Sequence, residues 1–360
     1  MSNCVPYHNA YDDDLLPCNL QFPLLSRSGR LNRLVFESRD TGKIRILLPD
    51  IPGGSDAFEM AARFLYGGDV ELTPTNVGSI RCAAEYLEMS DSLGEGNLIS
   101  KTEEYLNRVV LGSWTNSISV LKTCSDLKPW AEELEIVRRC SESVAWKAST
   151  DPHGIRWSFS TKAGAKESPR DWWFDDVSSL YIDTFIRVIH AVNMKGMNYT
   201  MVAAAVLHYA QKWLGLSKET YALTPRSKEG SLQGSVKVIA GLNDQDFSTK
   251  DANKEQHKKR AILQGIVSLL PSQADSISNK FLLKLLRVAC LVNAGAMCKM
   301  DLARRIGVQL DEVSVNDLLL PGYSTTGDST YDIDVVYQIV EHYLQVNYLE
   351  ILLASCENFP

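Results

Sequence analysis

One stretch of this chain reads as strand, and nearly everything after it repeats at the helical period. In KIRILLPDI, residues 43–51, Ile44, Ile46 and Leu48 alternate at period two, and Pro49, Pro52 and the Gly53-Gly54 pair end the run. Ser55 then stands where a side chain caps a helix reaching about residue 66, and Gly67-Gly68-Asp69 stops it. Thr73-Pro74 signals the next start, with Val77, Ile80, Ala84 and Leu87 on one face. Helical spacing continues over 97–110, 114–123, 129–149, 182–194, 200–214, 258–270, 279–293, 299–308 and 332–353, and a short helical surface over 22–36 precedes the strand. The expected fold class is mainly α: a partial α+β domain with few strands, followed by an all-α domain.

Composition narrows the function classes. A chain of 360 residues with 45% apolar side chains can bury two or three cores, and a formal charge of -7 provides no basic field for nucleic acid. No run approaches the roughly 20 apolar residues of a membrane span, and the acidic N-terminus lacks the basic region of a signal peptide, which predicts an intracellular, cytoplasmic protein. Cys4, Cys18, Cys82, Cys124, Cys140, Cys290, Cys298 and Cys356 are dispersed without a C-x-x-C pair and read as reduced thiols rather than metal ligands. Asp171-Trp172-Trp173-Phe174-Asp175-Asp176 joins carboxylates to aromatics, but no base or metal-binding His stands nearby. Its rings read as the anchor of a second domain's first helix to that domain's core. His190 and His208 fall on apolar helical faces and read as core or interface residues, and the cluster at 257–260 reads as a solvated end of a linker. With no nucleophile, metal set or phosphate loop, the reading is not an enzyme and holds no cofactor.

The block FLYGGDVELTPTNVGSIRCAAEYLEM, residues 64–89, resembles the aromatic-Tyr, turn, Thr-x-x-Asn and apolar-helix sequence of the BTB/POZ interaction domain. Such a block makes a hairpin of two helices packed through Phe58, Phe64, Val77, Ile80 and Leu87. Beyond it, FPLLSRSGRLNRLVFESRD, DIPGGSDAFEMAARFLYG, NLISKTEEYLNRVVLGSW, LKPWAEELEIVRRC, DWWFDDVSSL, KGMNYTMVAAAVLHYAQKWL, IVSLLPSQ, FLLKLLRVA, RRIGVQLDEVSVNDLLLPGYS and TYDIDVVYQIVEHYL resemble, in order, the signature blocks of the plant nonphototropic-hypocotyl-3 family. The residues themselves read as an unordered start at 1–19 and a polar linker at 150–170, and the resemblance implies a partial BTB/POZ domain at 20–110 and a helical extension at 111–149. The family's own helical domain would follow at 171–345 with a mobile insertion at 217–256, then a divergent end at 346–360. It further implies a substrate adaptor of a cullin-3 ubiquitin ligase in light or auxin signalling, binding cullin-3 and a protein substrate, with a non-ligase scaffold for a phototropin-type kinase or a trafficking partner as the alternative. A peripheral place at the plasma membrane is compatible with either.

By the same resemblance, Ala57-Phe58-Glu59, with Glu59 seven residues ahead of Tyr66, maps onto a cullin-contact motif. Ala57 stands where a larger apolar residue is usual, while Glu59 is equally readable as a solvated helix position. The family's opening strands and dimerisation helix have no counterpart before Phe22, and the helix and tail that usually follow EHYL are absent. Both ends therefore read as cut, 43–48 is expected to show a bare strand edge, and BTB-type dimerisation is expected to be weak or absent. Tyr323, in LPGYS, maps onto a phosphotyrosine segment of the family and reads equally well as a ring packed over its loop, with Tyr331 as the competing site.

Overall fold

The computed structural model describes residues 15–17, 22–41, 45–90, 93, 96–150, 170–216, 249–271, 277–320 and 331–357. Residues 151–169 of the expected linker, 217–248 of the expected insertion, 1–14, 358–360 and Tyr323 lie outside them. The fold is mainly α and divides into two compact units, Met1–Ala191 and Val192–Pro360.

In the first unit β1 (Leu15–Pro17) pairs antiparallel with β2 (Arg45–Leu47), Leu16 opposite Ile46, and α1 (Phe22–Arg27) and α2 (Gly29–Thr41) lie between them in sequence. Two expectations are corrected: residues 15–17 form a strand rather than an unordered start, and 45–47 has a partner along one edge. Pairing satisfies backbone donors and acceptors that the isolated strand would leave bare. The helices α3 (Gly54–Leu65) and α4 (Val77–Tyr86) follow, with Leu31, Leu65, Ile80, Leu87, Met89 and Leu98 fully buried between them and their neighbours. The hydroxyl of Ser28 donates to Leu87 O at 2.6 Å and accepts from Leu31 N at 3.2 Å, so one buried side chain starts α2 and holds the end of α4.

Next come α5 (Leu98–Tyr105), which runs into a π-helical turn over Leu106–Val110, and α6 (Trp114–Thr123). The single helix expected over 129–149 is broken into α7 (Trp130–Glu133) and α8 (Ile136–Ala148) by Glu135 at φ 57°. Ala131 and Ile136 are both buried, yet five residues on a continuous helix would set them about 140° apart; the break lets both face the core. Arg81 of α4, nearly buried, donates to Glu85 at 2.7 Å and to Glu103 of α5 at 2.8 Å. Glu103 also accepts from Arg139 of α8 at 2.9 Å, which ties three helices through one carboxylate. Burial acts to raise the Glu103 pKa, but the hydrogen bonds and charges of the two guanidiniums outweigh it and hold the carboxyl below its ordinary value.

The aromatics preceding and opening α9 (Phe174–Val177) pack in the first unit, which corrects the expectation that they anchor a second domain's core. Trp172 lies 4.6 Å from the ring of Trp114, and the Trp114 indole donates to Asp176 at 2.7 Å in a buried bond. A buried indole N–H needs an acceptor, and Asp176 is the one at hand. Lys128 pairs with Asp183 at 2.5 Å and Arg187 with Glu132 at 3.0 Å, holding α10 (Ile182–Met194) along its first turns.

The second unit contains α11 (Tyr199–Leu214), α12 (Thr249–Leu269), α13 (Asn279–Leu291), α14 (Ala296–Gly307) and α15 (Ile333–Glu357). Residues 249–256, expected within the insertion, are helical. Val206, Tyr209, Leu263, Ile266, Phe281, Leu285, Leu302, Ile306 and Ile339 make a fully buried apolar interior. Arg260 places Nε and Nη2 on Val292 O, at 3.0 and 2.7 Å, where α13 ends. Asp332 accepts from Val335 N at 3.3 Å and pairs with Lys299 at 3.2 Å, so the cap of α15 is bonded to α14. These two helices approach so closely at Gly307 that a Cβ there would lie 2.9 Å from both Ile339 O and His342 Cβ.

Replacing Glu103 with Gln removes the charge but not the bulk, and is expected to cost about 2 kcal/mol of unfolding free energy at neutral pH, measured by urea titration. Because the folded carboxyl is depressed, that contribution is complete above the unfolded value of about 4.3 and fades as pH falls through the folded one, so wild type and variant converge in acid. Gly307→Ala is expected to cost about 1–3 kcal/mol by the same measurement, since backbone rather than a flexible side chain must give way.

Candidate partner-binding face of the first unit

The candidate face is built on the α3–α4 hairpin. Gly53, φ 81°, is the N-cap of helix α3, two residues before the expected cap at Ser55, and no side chain caps it. A Cβ on Gly53 would meet Ser79 Cβ at 2.6 Å and Ala57 Cβ at 2.8 Å, so the start of α3 is pressed against α4 and only glycine fits. Ala57, Ala61 and Leu65 recur every four residues as the inward side.

That register separates the four sequence candidates. Ala57 is 2% exposed and belongs to the α3–α4 contact, which corrects its reading as a surface contact: its small side chain suits the close helix approach. Phe58 is half-buried against the core. Glu59 and Tyr66 are exposed, Tyr66 by 50%, at the helix middle and end. Sequence reasoning passed over Arg63, which reaches Glu59 at 3.1 Å; the i,i+4 spacing carried that signal. Between exposed side chains such a pair contributes about 0–1 kcal/mol, so an incoming cation displaces Arg63 at little cost.

The connection to α4 is held by Asn76. Its Oδ1 accepts from Thr73 N at 2.8 Å and its Nδ2 donates to Glu71 O at 3.0 Å. Thr73 O accepts from Val77 N at 3.0 Å, so the Thr-x-x-Asn element closes the turn that leads into α4. The Tyr86 hydroxyl donates to Pro49 O at 2.7 Å, under the Arg30 guanidinium, which sits 3.8 Å above its ring. Beside the hairpin lies an open cleft of about 280 Å³, lined in part by Arg27, Phe64, Gly67, Asp69, Asn97 and Lys101. Lys101 Nζ stands 4.8 Å over the Phe64 ring.

Elsewhere Tyr331 is 47% exposed just before α15, and His190 is exposed rather than on an apolar contact. Burial pushes the thiols of Cys82 and Cys140 up to about 12 and those of Cys290 and Cys298 to about 11, and raises Cys124 well above its ordinary value. These five are protonated at neutral pH and poor nucleophiles. Among the described residues no group of His, Cys, Asp and Glu is arranged to hold a metal ion, and no helix is long and apolar enough to cross a membrane.

A family model described as NPH3 family matches residues 171–355. Root phototropism protein 3 of Arabidopsis thaliana is 41% identical over an alignment covering 90% of this chain and 52% of that protein. Coleoptile phototropism protein 1 of Oryza sativa subsp. japonica is 39% identical, covering 93% and 52%. The Arabidopsis thaliana BTB/POZ domain-containing protein SR1IP1 is 37% identical, covering 90% and 52%. The chain thus spans about half the length of the curated relatives it matches. No solved structure matches. With half of its length fitting the family model, and the ordered blocks of residues 20–345 continuing that likeness toward the N-terminus, the chain belongs to the NPH3 family.

Proposed function

We propose that this chain is a substrate adaptor of a cullin-3 ubiquitin ligase in plant light or auxin signalling. In this reading the α3–α4 face meets the cullin and the helices of the second unit hold the protein to be ubiquitinated. The observation that carries it is the presentation of Glu59 and Tyr66 on one fixed hairpin, with Phe58 supporting them from the core. An exposed, partly aromatic surface fits docking better than turnover, which needs groups converging in an enclosed site. Catalysis, on this reading, is left to the ligase.

A second reading, a scaffold for a phototropin-type kinase or trafficking partner without a ligase, draws support from the relatives' names, two of which speak of phototropism.

Cullin-3 immobilised on resin is expected to retain the full chain. Glu59→Lys should weaken retention by at least about tenfold, since a reversed charge at a contact costs more than 1.4 kcal/mol. At this exposed position unfolding free energy should stay within about 0.5 kcal/mol of wild type. Wild-type chain passing through the resin, or Glu59→Lys binding as well as wild type, would favour the scaffold.

A further inference from the structure

Helix α15 carries a surface whose occupant the adaptor reading leaves open. Val335 and Ile339 of α15 are buried, while Ile333, Tyr337, Val340, Leu344 and Tyr348 are exposed by 68, 69, 38, 60 and 65%. Their spacings of four, three, four and four confine them to an arc of about 80° at 100° per residue. Five large apolar side chains thus form a stripe exposed along α15, and among the described residues none covers it. Asp334 and Glu341, both exposed, follow it along one flank, and among the described residues neither enters an ion pair. Residues 331–357 contain Asp332, Asp334, Glu341, Glu350 and Glu357 and no Lys or Arg at all.

We propose that this face of α15 seats an amphipathic, Lys- and Arg-rich helix of a partner protein. The 4-3-4 spacing is the one a second helix matches along its whole length, whereas an extended peptide at period two would meet the stripe only at intervals. Charge selects the partner's sign: basic residues beside its apolar stripe would meet Asp334 and Glu341 across the rim. A second copy of this chain is disfavoured by the same reasoning. With no Lys or Arg on α15, no pairing of two copies of this helix sets a cation beside Asp334 or Glu341. Tyr337 and Tyr348 suit such a seat, being apolar in body and polar at the tip. The inference is independent of the cullin contact, whose candidates lie in the first unit, and under the adaptor reading it gives the chemistry of the protein that the second unit holds.

The test titrates the full chain with a fluorescent synthetic helix of about five turns, with Leu at 3-4 spacing and Lys elsewhere, against a sibling carrying Glu for every Lys. The Lys helix is expected to bind at least about tenfold more tightly. Tyr337→Asn with Leu344→Asn should remove at least about tenfold of that affinity, and Asp334→Lys with Glu341→Lys should turn the preference toward the Glu helix. All four side chains are exposed, so melting temperatures should match wild type. Equal binding of the two helices, or a preference that survives both double variants, would overturn the proposal. So would sedimentation equilibrium showing a dimer that Tyr337→Asn with Leu344→Asn makes monomeric, which would assign the face to a second copy.

Discussion

The described helices build their cores by burying apolar faces on one another, and the closeness of those contacts is set by the smallest residues. At Gly53 a single added carbon would collide with Ser79 and Ala57, and at Gly307 with backbone of α15. Interiors packed to crystal density do not absorb such a carbon without moving a helix. Both surfaces singled out above inherit their orientation from these contacts. Because Ala57 is locked inward, Glu59 lies outward, and because Ile339 faces Gly307, Tyr337 and Leu344 lie on the far side of α15.

Charged groups add direction to that packing. Arg81 is nearly buried and remains affordable only because two carboxylates and a neighbouring helix complete its shell. Trp114 and Asp176 do the same over a separation of 62 residues, drawing the start of the family-matched region into the first unit. Arg81–Glu85 lies within α4, whereas Arg81–Glu103 and Trp114–Asp176 each join elements distant in sequence. The latter two fix which helices become neighbours.

This explains what the sequence discloses and what it hides. Helices such as α6, α10 and α13 follow periodic runs of apolar residues, so their spans are legible. Strand β1 is three residues with no room for alternation, and Glu135 takes a left-handed conformation without the glycine that would mark it. Ala57 was misplaced because a motif gives the order of residues but not which side of the helix meets α4. The Trp172–Trp114 contact lay beyond reach for another reason: local pattern says that a ring will be buried, never against which distant partner. The exposed stripe on α15 was concealed by its own regularity, since an apolar face awaiting a partner has the same spacing as one already packed.

The acidic residues then sort by what they do inside the fold. Glu103, Asp176, Glu132 and Asp332 are largely buried and bonded across helices, and moving any of them would break a contact that positions an element. Glu59 is held only by an exposed neighbour one turn away, and Asp334 and Glu341 lie outside every ion pair among the described residues. Carboxylates of the first kind cannot turn toward a partner without cost to stability, whereas those of the second kind can. A protein acting by docking requires that separation: its internal bonds must hold rigid the surfaces on which its outward charges remain available.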